Sequence, residues 1–145
     1  MSLVRFIYQG DHLDIARELM CKKVCEYVSS VLDLPKTIEI VFAKMNKSDY
    51  GQTVVNSRFP NRIHINETLM AKEMPYVLVH ELLHLNQIKE GLLSSTSNGM
   101  YIWRGKIYRV SEDLDYKSYI NLPWEQDVIQ KYKPLLNETI QSMKM

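Results

Sequence analysis

Within a mostly apolar stretch stand His80, Glu81 and His84, in the order His-Glu-Leu-Leu-His. At about 100° of helical rotation per residue the two histidines lie about 40° apart and one turn along, so both imidazoles project to the same side. Glu81 falls about 60° beyond His84 and flanks whatever the pair holds. Two imidazoles on adjacent turns can grip Zn²⁺ at roughly 2.0–2.1 Å. A carboxylate beside them can take a proton from water whose pKa the metal has lowered toward neutrality. The bland alternative is a pair of core histidines and a solvated glutamate. In a helix apolar nearly all round, it demands a partner for each of three clustered polar groups. The pattern therefore points to a site for one zinc ion per chain.

A catalytic zinc keeps three protein ligands and leaves one position for water, so a third ligand must come from elsewhere. A metzincin-type site would place a glycine three residues after the second histidine and a third histidine six after it; those positions hold Gln87 and Glu90. Without the glycine the helix runs on and carries Glu90 about 9 Å along the axis onto another face, as a helix-terminal surface charge. The better candidate is Glu125, in Asn-Leu-Pro-Trp-Glu-Gln-Asp-Val. Pro123 fixes the entry of a helix, Trp124 can anchor that end in the core, and Glu125 then lies in the first turn. By position alone Glu125 would read as a first-turn acid favoured by the helix dipole. The need for a third ligand, with few acids elsewhere in so rigid a context, reverses that, and Asp127, Asp113 and Glu112 remain as fallbacks.

The elements that must position these groups follow from pattern. The helix bearing the pair is predicted over Pro75–Glu90, with Gly91 where a C-terminal cap belongs. Its apolar residues spread around most of the circumference, so it is a buried helix. Before it, Leu3–Tyr8 reads as a short strand. Asp11 is a plausible cap for a helix ending before Pro35, with Leu13, Ala16, Met20, Val24, Tyr27, Val28 and Val31 on its apolar stripe. Strands are expected at Thr37–Phe42, Thr53–Phe59 and Arg62–Ile65, with turns at Asp49–Gly51 and Pro60-Asn61. Ser94–Asn98 is expected as a solvated loop that could serve as a cleft flap. Met100–Val110 reads as a hairpin turning at Arg104-Gly105 or Gly105-Lys106. The last helix starts at Pro123 and runs toward Met145, kinked or interrupted at Pro134.

Composition sets the class. The 145 residues are 46% hydrophobic and 24% charged, as in ordinary globular proteins, and amount to a single domain over 1–145. With 18 basic and 17 acidic residues the net charge is +1, which argues against a nucleic-acid or anionic-lipid surface. No apolar run reaches the roughly 20 residues of a membrane span, and the start, Met-Ser-Leu-Val-Arg-Phe, does not read as a secretory signal. Cys21 and Cys25 are badly spaced for a disulfide within a helix and read as small hydrophobes beside the core. Two unpaired thiols fit a cytoplasmic location. Tyr101, Trp103 and Tyr108, interleaved with Arg104, Lys106 and Arg109, could stack on single-stranded nucleic acid; as alternating hairpin aromatics they read better as core or cleft wall.

His80-Glu81-Leu82-Leu83-His84 followed by a glutamate on a later helix resembles the gluzincin branch of HExxH zinc metallopeptidases. Small phage and bacterial members are similar further, through Tyr-Val-Leu-Val-His-Glu-Leu-Leu-His, Trp-Arg-Gly-Lys-Ile-Tyr and Leu-Pro-Trp-Glu in that order, over about residues 50–130. The resemblance implies His80, His84 and Glu125 as zinc ligands and Glu81 as general base and acid. It implies an oxyanion donor too, with Tyr119, six residues before Glu125, as first candidate and His64 as second. Many gluzincins carry an acid four residues after the third ligand to orient a zinc-bound histidine; here that position is Ile129, which leaves Asp127 as a substitute. In zincins of this type the strand before the active helix, here Arg62–Asn66, has a free edge for an extended peptide.

The expectation is thus an α+β, zincin-like fold with a small mixed sheet. Residues 1–91 would form an upper lobe carrying the active helix, and residues 92–145 a mainly helical lower lobe carrying the third ligand. The expected activity is zinc-dependent hydrolysis of a peptide or protein substrate. The alternatives are a zincin-fold binding protein without turnover, or a nucleic-acid-associated protein using the aromatic hairpin.

Overall fold

The computed structural model describes residues 2–10, 13–55, 58–59, 61–96, 98–111 and 114–144. These form an α+β structure with four α-helices and two small sheets. The first sheet has the order β1-β2-β4-β3, where β1 is Leu3–Tyr8, β2 Thr37–Ala43, β3 Gly51–Thr53 and β4 Arg62–Asn66. β1, β2 and β4 run parallel, and β3 lies antiparallel along the outer side of β4. The sheet is mixed, as expected, but β4 is paired on both sides and the free edge beside it belongs to β3.

Alternation along the strands sends one set of side chains to a single buried face. Ile38, Ile40 and Phe42 of β2 and Ile63 and Ile65 of β4 meet α1 (Ile15–Val31) and α2 (Met74–Lys89) there. The cap of α1 is Asp14, which accepts from the Arg17 N–H; Asp11 lies outside the described residues. Beginning at Ile15 leaves Leu13 outside the helix and exposed, and Val31 is exposed as well, so the buried stripe is Cys21, Val24, Cys25 and Val28. Both cysteines are free thiols inside the core.

β3 was expected over Thr53–Phe59 and instead starts at Gly51, after a turn displaced toward Lys47–Ser48. The reason is Asn66, at the end of β4. Its buried amide donates to the Asn46 and Asp49 carbonyls at 3.1 and 2.7 Å and accepts from Thr68, folding the loop onto β4 and setting Gly51 opposite Ile65. Residues 56 and 57 of the expected strand, and Pro60 of the expected turn, lie outside the described residues.

α2 ends in a Schellman arrangement: Gly91, at φ 77°, donates to the Ile88 carbonyl and Leu92 to that of Gln87. The segment after it holds more strand than expected. Leu93–Ser95 forms β5 rather than a loop, pairing with β6 (Tyr101–Trp103), because Leu93 is buried against Trp103 and Trp124. β7 (Lys106–Tyr108) completes this second sheet through a two-residue turn at Arg104-Gly105. Both turn residues have positive φ, as a type I′ turn requires. A short helix, α3 (Tyr116–Ile120), precedes α4 (Pro123–Met143), which continues through Pro134 without interruption. Val128, Leu135 and Leu136 of α4 join the same core as α1 and α2, so the helix packs directly on the one that carries the histidines. Among the described residues no helix is long and apolar enough to cross a membrane.

Candidate metal centre

α2 brings His80 and His84 to one side, and the first turn of α4 brings Glu125 up against them. His80 Nε2 lies 3.3 Å from Glu125 Oε1, and His84 Nε2 lies 3.0 Å from Glu125 Oε2. One ligand atom from each of the three falls within 4.8 Å of the others. A tetrahedral zinc with bonds of roughly 2.0–2.2 Å separates neighbouring ligand atoms by about 3.3–3.6 Å, a spacing that small side-chain shifts reach from a trio already within 4.8 Å. The donor set, two imidazoles and a carboxylate, is the one zinc takes in open catalytic sites. The residues fit the ion.

Charge is concentrated here. His80 and His84 hold the Glu125 carboxyl down at about 2: burial opposes its ionisation, but their hydrogen bonds and positive charge outweigh burial. Burial likewise resists a charge on His84. Its hydrogen bond to Glu125 and the charges of Glu125 and Glu81 prevail, so the imidazole's pKa is raised above its ordinary 6.5.

Glu81 is buried beside the trio. Thr53, on β3, donates its hydroxyl to Glu81 Oε1 at 2.8 Å and lies 2.9 Å from the Glu81 carbonyl, tying the carboxylate to the edge strand. Gly51 makes that approach possible, since a Cβ there would sit 2.7 Å from Val77 Cγ1 and 3.3 Å from Glu81 Cγ. Tyr119 lines the same cavity as Glu125 and Glu81. Partial burial first, then the charges of Glu125 and Glu81, push its pKa above the ordinary phenol range, so it keeps its proton.

Two cavities meet at this point, and Gly51, Gln52, Glu81 and Tyr119 border both. One, of about 130 Å³, reaches inward past His84 and Glu125 to Val55, Leu93 and Trp124. The other, of about 740 Å³, is an open trough past His80, walled by Tyr50, Tyr76, Tyr116 and Tyr132. The Tyr132 hydroxyl donates to the Tyr76 carbonyl at 2.6 Å, and its ring lies edge-on to His80.

The structure thus brings together His80, Glu81, His84, Tyr119 and Glu125. Other candidates lie elsewhere. His64 sits opposite Gln52 on the sheet face away from α2, because its neighbours Ile63 and Ile65 take the buried face. Glu90 is exposed beyond the end of α2. Asp127 is no ligand: it bonds to Lys131 and to Gln87. Glu112 and Asp113 lie outside the described residues. The hairpin aromatics are engaged as wall, with Trp124 packed between Tyr101 and Tyr108, and Arg104 and Lys106 lying over Trp103 and Tyr108.

Sequence reasoning missed Thr53 and Gln87. Gln87 is 1% exposed and bridges His84 to α4. A glutamine inside so apolar a helix was the available signal, since a buried amide must be bonded. No protein-family model, curated protein or solved structure matches the chain.

Proposed function

We propose that the protein is a zinc-dependent metallopeptidase of gluzincin type on a zincin-like fold, with His80, His84 and Glu125 as the ligands of one zinc ion. The carrying observation is the convergence of these three side chains from two helices, with Glu81 held beside them by Thr53. Zinc in such a set supplies Lewis acidity, lowering the pKa of water and polarising a carbonyl.

The chain's own groups do the rest. Glu81 takes the proton from the attacking water and returns it to the leaving amine. Tyr119, which keeps its proton, donates to the oxyanion that develops on the scissile carbonyl. β3 offers the substrate an edge. The Tyr50 carbonyl and the Val54 N–H bond inward to β4, so by antiparallel alternation the backbone groups of Gly51 and Thr53 face outward. An extended peptide adding to that edge would run between the two cavities and past Glu81.

The test is metal content by mass spectrometry, followed by a peptide-library digest of wild type and Glu81→Gln. The expected result is one zinc per chain in both proteins and cleavage by wild type alone. A chain that stays empty when zinc is offered defeats the reading. Equal turnover by Glu81→Gln defeats the assigned role of Glu81, and zinc without cleavage in either protein marks a binding protein.

A further inference from the structure

We propose that Gln87 is a positioning residue that holds His84 with its proton on Nδ1, leaving Nε2 free to bind the metal. The inference rests on the metal-site reading above and assigns a residue to which that reading gives no role.

The argument is one of donors and acceptors. Gln87 Nε2 lies 2.9 Å from the Trp124 carbonyl and 2.8 Å from Asp127 Oδ2. A carbonyl and a carboxylate only accept, so both N–H bonds of the amide are committed to them. Turning the amide over would set its oxygen against two acceptors. Oε1 therefore faces His84 Nδ1, at 2.8 Å. An amide oxygen cannot donate, so the proton of that bond belongs to Nδ1. The other ring nitrogen, Nε2, is the one that faces Glu125.

Residue choice at 87 follows from the same geometry. A glutamate would bring a second carboxylate to Asp127 and the Trp124 carbonyl, and an asparagine is one methylene shorter. Because Trp124 precedes Glu125, the same amide also fixes the first turn of α4 against α2. Gln87 thus sets the orientation of one ligand and the distance to another. Its place three residues after His84 puts it one turn along the same face.

The experiment compares wild type, Gln87→Met and Asp127→Ala, all loaded with zinc. Two readouts are followed: zinc affinity by chelator competition, and the imidazole N–H signals of ¹⁵N-histidine-labelled protein. Wild type is expected to show a downfield, slowly exchanging Nδ1–H from His84. Gln87→Met, close in volume but without the acceptor, should lose that signal to exchange and bind zinc about 10–100-fold more weakly. Asp127→Ala removes one of the two groups that orient the amide, on the outer side of the site. It should shift the same signal and weaken zinc by a smaller factor, which keeps the test open if Gln87→Met fails to fold. An unchanged His84 signal and affinity in the folded variants overturns the role of Gln87 while the metal site stands. A wild type that binds no zinc overturns both readings.

Discussion

The two histidines of one helix turn live in different surroundings. His84 is buried, bonded through Nδ1 to Gln87, and opens onto a cavity of about 130 Å³ lined by Leu93 and Trp124. His80 is 30% exposed, lies edge-on to Tyr132, and borders the tyrosine-walled trough of about 740 Å³. A site that holds an ion and also admits a chain needs both conditions. On the proposed function, the closed side, that of the buried His84, sets where the ligands stand, and the open side, that of the more exposed His80, sets what can approach them. Substitutions on the two sides should therefore fail in different ways.

The largest effect belongs to the closed side. Glu125→Ala is expected to weaken zinc by more than the roughly 10–100-fold that loss of an outer partner costs, read by chelator competition. It should also remove the ion pairs that hold α4 to α2. Thr53→Val, at the junction of the two cavities, should leave zinc in place and lower kcat by about tenfold. That is the worth of one charge-assisted hydrogen bond to Glu81, of about 1.5 kcal/mol.

Acidity tests the closed side with its own residues intact. The depressed pKa of Glu125 contributes stability that is full above its ordinary 4.5 and is lost as the pH falls toward about 2. The raised pKa of His84 contributes stability that is full below its ordinary 6.5 and is lost as the pH rises through the folded value. With His64 replaced by Gln, which removes the opposing contribution of its burial-lowered pKa, metal-free protein should have its highest thermal midpoint between about pH 4.5 and 6.5, and zinc should remove the alkaline decline. A midpoint flat across pH 4–9 without metal would contradict the ion-pair geometry.

The smallest effect belongs to the open side. Tyr116, 78% exposed on the trough wall, should when replaced by Ala raise KM for a peptide a few-fold and leave zinc affinity unchanged. A matching loss of zinc would erase the distinction between the two sides.

The closed side was the more legible in sequence. A 3.6-residue period places His80, Glu81 and His84 without reference to the rest of the chain, and Pro123 announces the turn that carries Glu125. What escaped depends on distant partners. Strand propensity favoured Thr53–Phe59, but the start of β3 is fixed by the Asn66 amide at the far end of β4. Ser94 and Ser95 look like loop residues until Leu93 beside them is buried against Trp103 and Trp124. Gln87 drew notice only for not being a glycine, since its three bonds become visible once α4 is docked.

The clamp at Asn66 has a consequence for how this molecule could change over generations. Gly51 and Thr53 face α2, while Gln52 faces away beside His64. Side chains alternate along a strand, so one residue added to or deleted from the loop at 44–50 would exchange the two faces of β3. Glu81 would lose its threonine, and the space that Gly51 fits would receive Tyr50 on insertion or Gln52 on deletion. A single-codon insertion there should therefore be as damaging to activity as the loss of a side chain of the site.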